Sequence, residues 1–359
     1  MTVWSDVPDY TDHMRSAIEA AAAANPHPNP RVGAVVLDAS GSVVGQGIHR
    51  HPGDPHAEIE ALTQARSAAN GGTLIATLEP CNHQGRTPPC ADAILESGVA
   101  RVVVGAADPD TSVAGGGVDR LRQAGVDVEV GLLATEVEAM DPAYFHHRRL
   151  GRPRVTLKAA LTMDGQVAAV DGSSQWITSP EAREDGHRLR AKADAVMVGA
   201  GTVLADNPRL TVRLPGYEGR QPIPVVIAGQ RPFPNDLRVI ERNALVFAPS
   251  ARDLDTEVVV VESGERVDLE KALATLGDRG VVDLLVEGGP ILADGLLESH
   301  LVDRCVFYLG AKLAAGVGRS AFNGVFETVE DAIDVQIEDV RLIGPDIRVE
   351  FTLVRKDAS

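Results

Sequence analysis

Short apolar runs alternate along this chain with stretches of helical periodicity. In the first half, residues 12–24 are rich in good helix formers, including the alanines 20–24. Residues 32–37 and 43–48 are apolar runs that flank Asp38-Ala39-Ser40-Gly41, a hairpin pattern. Asp54-Pro55 opens a helix with Ile59, Leu62 and Ala65 on one face, ended by Asn70-Gly71-Gly72. A strand over 73–78 follows, then a helix opened by Pro89 and closed by Gly98, a strand over 102–105, a helix near 118–123 and a strand over 126–130. Such alternation predicts a sheet covered on both faces by helices.

The second half reads as α/β as well. Residues 155–161, 195–198, 224–227, 244–247, 258–261 and 282–286 are candidate buried strands. Residues 296–299 belong to a helix after the last of these, 305–309 form another strand, and 348–354 close the sheet. Between the halves, DPAYFHHRRLGRP (141–153) reads as a connector with solvated charges. A length of 359 residues exceeds one ordinary core. Two domains are expected, 1–145 and 146–359.

Composition narrows the function. Net charge is −17, from 34 basic and 51 acidic side chains, and aromatic residues make up 4%. Nucleic-acid binding relies on phosphate neutralisation by Lys and Arg, so a small-molecule partner is expected and a nucleic acid is not. The first residues, MTVWSDVPDYTDHMR, lack a basic start followed by an apolar run. No stretch approaches the roughly 20 apolar residues that span a bilayer. These features point to a cytoplasmic protein with no membrane partner. Three cysteines in this length make no disulfide framework.

Two of those cysteines lie in EPCNHQGRTPPC (79–90). Cys81 falls just beyond a strand and Cys90 opens a helix. Upstream, PHAEIEAL places His56 and Glu58 in the first turn of another helix. A helix N-terminus favours thiolate, here at Cys90, and thiolate is the form that binds metal. One His and two Cys leave the fourth tetrahedral position of Zn²⁺ open, as catalytic rather than structural zinc sites do. Zinc brings the pKa of water to about 7, and Glu58 is placed to take and return the proton. A disulfide between Cys81 and Cys90, or structural zinc with a fourth ligand from His49, His51 or His83, are the competing readings. Glu79 and Cys305 read as structural.

His56-Ala57-Glu58, then Pro80-Cys81 and a second Cys, match the zinc deaminase pattern H-x-E…P-C-x-x-C. The departure is eight residues between the cysteines instead of two. LEPCNHQGRTPPC together with HPNPRVGAVV (27–36) resembles the deaminase half of the bifunctional riboflavin-biosynthesis deaminase/reductase family. In the second half, LKAALTMDGQVA (157–168), SSQWIT (173–178), VGAGTVLADNPRLTVR (198–213) and VEGGPILADGLL (286–297) resemble its reductase half. The second half has no G-x-G-x-x-G fingerprint, and the turn Glu287-Gly288-Gly289-Pro290 is by itself a weak phosphate signal.

The resemblance implies a cytidine-deaminase-like three-layer α/β/α domain followed by a dihydrofolate-reductase-like α/β domain. It implies a phosphorylated pyrimidine as substrate, Zn²⁺ and NADPH as cofactors, and a homo-oligomer. In the deaminase half it implies substrate contacts from Asn29, His49, His83 and Arg86. In the reductase half it implies NADPH contacts from Ala160, Trp176, Thr202 and Asp206, and from the run Gly289, Pro290, Ile291, Leu292, Ala293, Asp294 and Gly295. Substrate contacts there would come from Ser174, Arg190, Leu210, Arg213 and Glu287, with Lys158 pairing with a carboxylate near the ribose. Residues 229–276 carry the faintest resemblance and no site. Two other functions fit less of the sequence. A nucleic-acid deaminase needs a basic channel and stacking aromatics, and a zinc-stabilised binding protein needs saturated coordination.

Overall fold

The computed structural model describes residues 9–354 except 84–87, 111–112, 231, 265 and 325–326. The chain divides into two compact units after Gly151.

The first unit contains, in order, α1 (Thr11–Ala22), β1 (Gly33–Leu37), β2 (Val43–Ile48), α2 (Ala57–Ala65), β3 (Thr73–Leu78), α3 (Cys90–Ser97), β4 (Arg101–Ala106), α4 (Gly116–Gln123), β5 (Asp127–Val130), α5 (Ala134–Met140) and α6 (Pro142–Leu150). Its sheet has the order β2-β1-β3-β4-β5. The β1 strand pairs antiparallel with β2 and β3, while β3, β4 and β5 run parallel. Strands β1, β3 and β4 are buried almost throughout, as a sheet covered on both faces requires.

Two glycines set the depth of α2. A Cβ on Gly47 of β2 would lie 2.0 Å from the Ala57 carbonyl oxygen, and one on Gly45 would lie 2.1 Å from that of Ala61. The helix backbone therefore rests directly on the strand, and its first turn, which bears His56 and Glu58, is held at that level.

Segment 141–153 is not the expected connector. Most of it is the helix α6, with Pro142 at its start and Gly151 in the left-handed region at its end. Ala143, Tyr144, Phe145 and His147 are buried against the first unit. The basic run HHRR hid an apolar face of a helix only nine residues long.

The second unit contains β6 (Arg154–Thr162), β7 (Gln166–Ala168), α7 (Pro180–Lys192), β8 (Ala195–Gly199), α8 (Ala200–Asp206), β9 (Ile223–Ile227), α9 (Arg238–Glu241), β10 (Leu245–Ala248), β11 (Val258–Val260), β12 (Glu262–Ser263), β13 (Arg266–Val267), α10 (Leu269–Asp278), β14 (Asp283–Val286), α11 (Pro290–Glu298), β15 (Arg304–Gly310), β16 (Arg319–Ser320), β17 (Val335–Ile343) and β18 (Asp346–Leu353). The main sheet has the order β11-β10-β9-β8-β14-β6-β15-β18-β17. It is parallel from β11 to β15, and β18 and β17 add antiparallel. Apolar clusters lie on both faces, one around Met197, Phe247 and Leu284, the other around Val198, Val226 and Val246. The expected closing strand, 348–354, is interior. The edge is β17, whose residues are exposed almost throughout and which therefore lacked a burial pattern to read.

Candidate metal centre and reductase site

His56 is the N-cap of α2, Cys81 follows the loop after β3, and Cys90 is the first residue of α3. The fold brings all three donor atoms within 4.8 Å of one another. His56 Nδ1 lies 3.2 Å from Cys90 Sγ and 3.6 Å from Cys81 Sγ. A tetrahedral zinc with bonds of about 2.1 Å to nitrogen and 2.3 Å to sulfur sets N–S separations at ~3.6 Å. The three residues thus fit the ion, and all three cysteines are unpaired with one another.

The helix dipole acts differently from the expectation for Cys90. The backbone N–H of Cys90 donates to Cys81 Sγ at 3.3 Å. Between the two thiols alone, the hydrogen bond from Cys90 and further bonds from His56 and the Cys90 amide bring Cys81 down to about 4. The same hydrogen bond, with burial, pushes Cys90 up. His56 is raised above its ordinary value, chiefly by its bond to Cys81.

Glu58 sits in the first turn of α2 and is 3% exposed. Burial raises its pKa above the usual carboxylate range, so it can keep a proton longer than a solvated glutamate. It lines a cavity of about 460 Å³ together with His56, Cys81, Asn29, His49 and His83. Asn29 Nδ2 donates to His49 Nε2 at 2.9 Å, because His49 Nδ1 lies 3.1 Å from the Pro55 carbonyl and donates to it. That pairing holds His49 as a neutral imidazole, and burial lowers its pKa further. Arg86 lies outside the described residues. The cavity also gathers Asp108, Tyr144 and Arg148, which sequence reasoning missed. The Tyr144 hydroxyl donates to Asp108 at 3.0 Å, and burial lifts that carboxyl to about 6. Glu79 accepts from the backbone of Gly115 and Val118 at the start of α4, a structural task.

In the second unit the parallel strands β6 and β14 pair Leu157 with Val286, which places Lys158, midway along β6, beside Glu287, just past the C-terminal end of β14. That is where open α/β sheets carry ligands. Arg190 of α7 grips Glu287 with two bonds, Nε to Oε1 at 2.6 Å and a terminal nitrogen to Oε2 at 2.8 Å, and also donates to the Thr211 carbonyl at 2.9 Å. Both side chains of the pair are 14% exposed. Burial alone would raise Glu287, but Arg190 and Lys158 hold it down to about 2. Burial pushes the Lys158 ammonium down against the pull of Glu287. Arg213 is exposed, and partial desolvation followed by the field of Arg190 lowers its pKa from the ordinary value. His187, three residues before Arg190 on α7, also faces this cluster, and burial followed by Arg190 and Arg213 brings it to about 4. Its spacing from Arg190 on one helix face was the available signal.

The NADPH positions separate into two kinds. Thr202 in the first turns of α8 and Gly289 before α11 are neighbours, since a Cβ on Gly289 would lie 3.4 Å from Thr202 Oγ1. Pro290 opens α11, and Ile291 is 77% exposed. Ala160 is half-buried on β6, Ser174 half-buried in the loop before α7, and Gly295 half-buried within α11. Trp176 is 55% exposed, with the Arg183 guanidinium 4.4 Å from its ring centre. Asp206 is exposed at the end of α8. Leu292 and Ala293, in contrast, point into the core, and so does Leu210. Those three have only backbone to offer a ligand. Asp294 accepts from the Asn323 backbone N–H at 3.0 Å. Cys305 is core, with burial pushing its thiol up to about 12.

Comparison with known proteins covers both units. Residues 8–106 match the cytidine and deoxycytidylate deaminase zinc-binding region, and residues 153–349 match the RibD C-terminal domain. Riboflavin biosynthesis protein RibD of Escherichia coli (strain K12) is 38% identical over 341 residues, covering 89% of this chain and 92% of that protein. The protein of the same name from Mycobacterium tuberculosis (strain ATCC 25618 / H37Rv) is 40% identical over 324 residues, covering 89% and 90%. The solved structure of Acinetobacter baumannii RibD, form 2, superposes with a TM-score of 0.88 at 33% identity, covering 96% of this chain and 98% of that one. The Thermotoga maritima diaminohydroxyphosphoribosylaminopyrimidine deaminase/5-amino-6-(5-phosphoribosylamino)uracil reductase gives 0.85 at 36% identity, covering 96% and 99%. A metal-binding triad beside a buried glutamate in one unit, a charged strand-end cluster in the other, and relatives that span both place the chain in the bifunctional riboflavin-biosynthesis deaminase/reductase family, RibD, with zinc and NADPH as cofactors.

Proposed function

We propose that the unit ending at Gly151 deaminates 2,5-diamino-6-ribosylamino-4(3H)-pyrimidinone 5′-phosphate, and that the following unit reduces its ribosyl group to ribityl. The product is then 5-amino-6-ribitylamino-uracil 5′-phosphate. The names carried by the relatives support this substrate. The observation that carries the reading is Glu58 buried in the cavity that His56 and Cys81 also line, with Cys90 completing their donor triad.

His56, Cys81 and Cys90 would hold zinc, which when bound supplies the Lewis acidity that activates water at neutral pH. Glu58 takes the proton of that water on its carboxylate and returns it to the leaving ammonia. Asn29 and His49 bind and orient the ring, and His83 and Arg86 take the sugar and phosphate. In the second unit NADPH, when bound, supplies the hydride. The residues of the α11 turn, with Thr202, Trp176, Ala160 and Asp206, hold it there. Ser174, Arg213 and the Arg190–Glu287 pair orient the substrate, the Leu210 backbone flanks it, and Lys158 steadies the opened ribose.

We also propose a homo-oligomer in the cytoplasm. Edge strand β17 leaves Val335, Ile337, Val340 and Leu342 exposed, a surface suited to a second copy of the chain. Among the described residues, no helix is long and apolar enough to cross a membrane.

A coupled assay tests the central assignment. With the pyrimidinone ribotide supplied with and without NADPH, Glu58→Gln is expected to keep zinc and lose deamination by about 10²- to 10⁴-fold. Reduction of pre-deaminated substrate should survive. Retained deamination would remove Glu58 from its role.

A further inference from the structure

Asp141 occupies the N-cap position of α6, yet its side chain makes no cap bond. Aspartate at that position ordinarily accepts from the second or third N–H of the helix. Here both oxygens turn instead to the loop 27–31. Oδ1 lies 3.1 Å from His27 Nε2, and Oδ2 accepts the Arg31 backbone N–H at 2.9 Å. The carboxylate and the His27 ring are each 1% exposed.

The loop is fastened at further points from the same region. Arg31 donates from Nε to the Ala24 carbonyl at 2.9 Å and from a terminal nitrogen to the Met140 carbonyl at 3.2 Å. Arg148, also on α6, donates to the Pro28 carbonyl at 3.2 Å. At the centre of this five-point clasp stands Asn29, which enters the cavity of the metal triad and bonds His49. A polar loop of this kind buries little apolar surface, so its place depends on such bonds, and a buried carboxylate with two partners is the stiffest of them.

We infer that Asp141 is a positioning residue of the deaminase: by holding the loop at His27 and at Arg31 it sets the place of the Asn29 amide in the cavity. The inference rests on the reading of Asn29 as a substrate contact. Asp141 stands directly before α6, whose Tyr144 and Arg148 line the same cavity.

The test uses the full-length, zinc-loaded enzyme and the pyrimidinone ribotide. Asp141→Ala is expected to lower deaminase kcat/KM by about 10- to 100-fold, as loss of an outer partner of a functional group does, chiefly through KM. Zinc content and reduction of pre-deaminated substrate should not change. Asp141→Asn should recover activity to within about threefold of the parent, because its oxygen can accept from Arg31 and its amide can donate to His27. The double variant Asp141→Ala with Asn29→Ala should be no worse than the poorer single. Hydrogen exchange guards against global damage: the amides of 27–31 should exchange faster in Asp141→Ala while those of α2 and α3 keep their protection. Parent-like activity in Asp141→Ala, losses that multiply in the double variant, or faster exchange across the whole unit would each overturn the inference. If Asn29→Ala is impaired and Asp141→Ala is not, only the inference falls. If Asn29→Ala is itself parent-like, the substrate-contact reading beneath it falls.

Discussion

The two units solve different chemical problems, and their sites are built differently. The deaminase unit needs a cation, an open position on it and a proton carrier. Four side chains, His56, Glu58, Cys81 and Cys90, meet that need, and they converge from the ends of two helices and one strand. The reductase unit needs a surface against which a cofactor does the chemistry. Its site is spread over α7, α8, α11, the body of β6 and the end of β14, and part of it is backbone. Compact side-chain chemistry leaves a mark in sequence, while a backbone cradle leaves little. The same contrast predicts that single substitutions abolish the first activity but only weaken the second.

The largest effect should come from the metal triad. Cys81→Ser is expected to shed zinc and drop deamination to background, while NADPH-dependent reduction of deaminated substrate continues at the parent rate. Metal analysis and the two separate assays check this, and a parallel fall in reduction would break the comparison. In the other unit, Glu287→Gln leaves Arg190 buried without its partner. Breaking such a pair costs about 3–5 kcal/mol, readable in urea unfolding of the full-length protein. The pH dependence has a defined sign. Glu287 is held at about 2 in the folded protein, below the roughly 4.3 of an unfolded glutamate. The stability it contributes is fully present above pH ~4 and fades as pH falls toward 2. Parent and Glu287→Gln should therefore differ most above that window and converge below it. The smallest effect is expected from Gly47→Ala, where the new Cβ would press on the Ala57 carbonyl. Overpacking of this kind costs about 1–3 kcal/mol, and the shift of α2 should lower zinc affinity without touching reduction.

These differences also explain what could be read from sequence. Strand 73–78, buried on both faces, announced itself by an apolar run after Asn70-Gly71-Gly72, and the edge strand 43–48 by its place after the turn Asp38-Ala39-Ser40-Gly41; the structure keeps the bounds of both. Helix α6 did not, because four of its residues are His or Arg and its apolar face is short. Strand β17 did not, because its residues are exposed almost throughout. His56, Glu58, Cys81 and Cys90 were legible because metal ligation restricts residue type. Asp108, Tyr144 and Arg148 were not, because carboxylate, phenol and guanidinium are common on any surface and only the fold brings them to the cavity. Leu210, Leu292 and Ala293 show the opposite limit: the resemblance points to them as contacts, but their side chains are core.

X-ray absorption at the zinc edge of the purified full-length protein tests the account at its base. The account predicts one zinc per chain with two sulfurs at about 2.3 Å, one imidazole nitrogen at about 2.0–2.1 Å and one further light atom from solvent. A centre closed by four protein donors, or protein that binds no zinc when the metal is supplied, would contradict it.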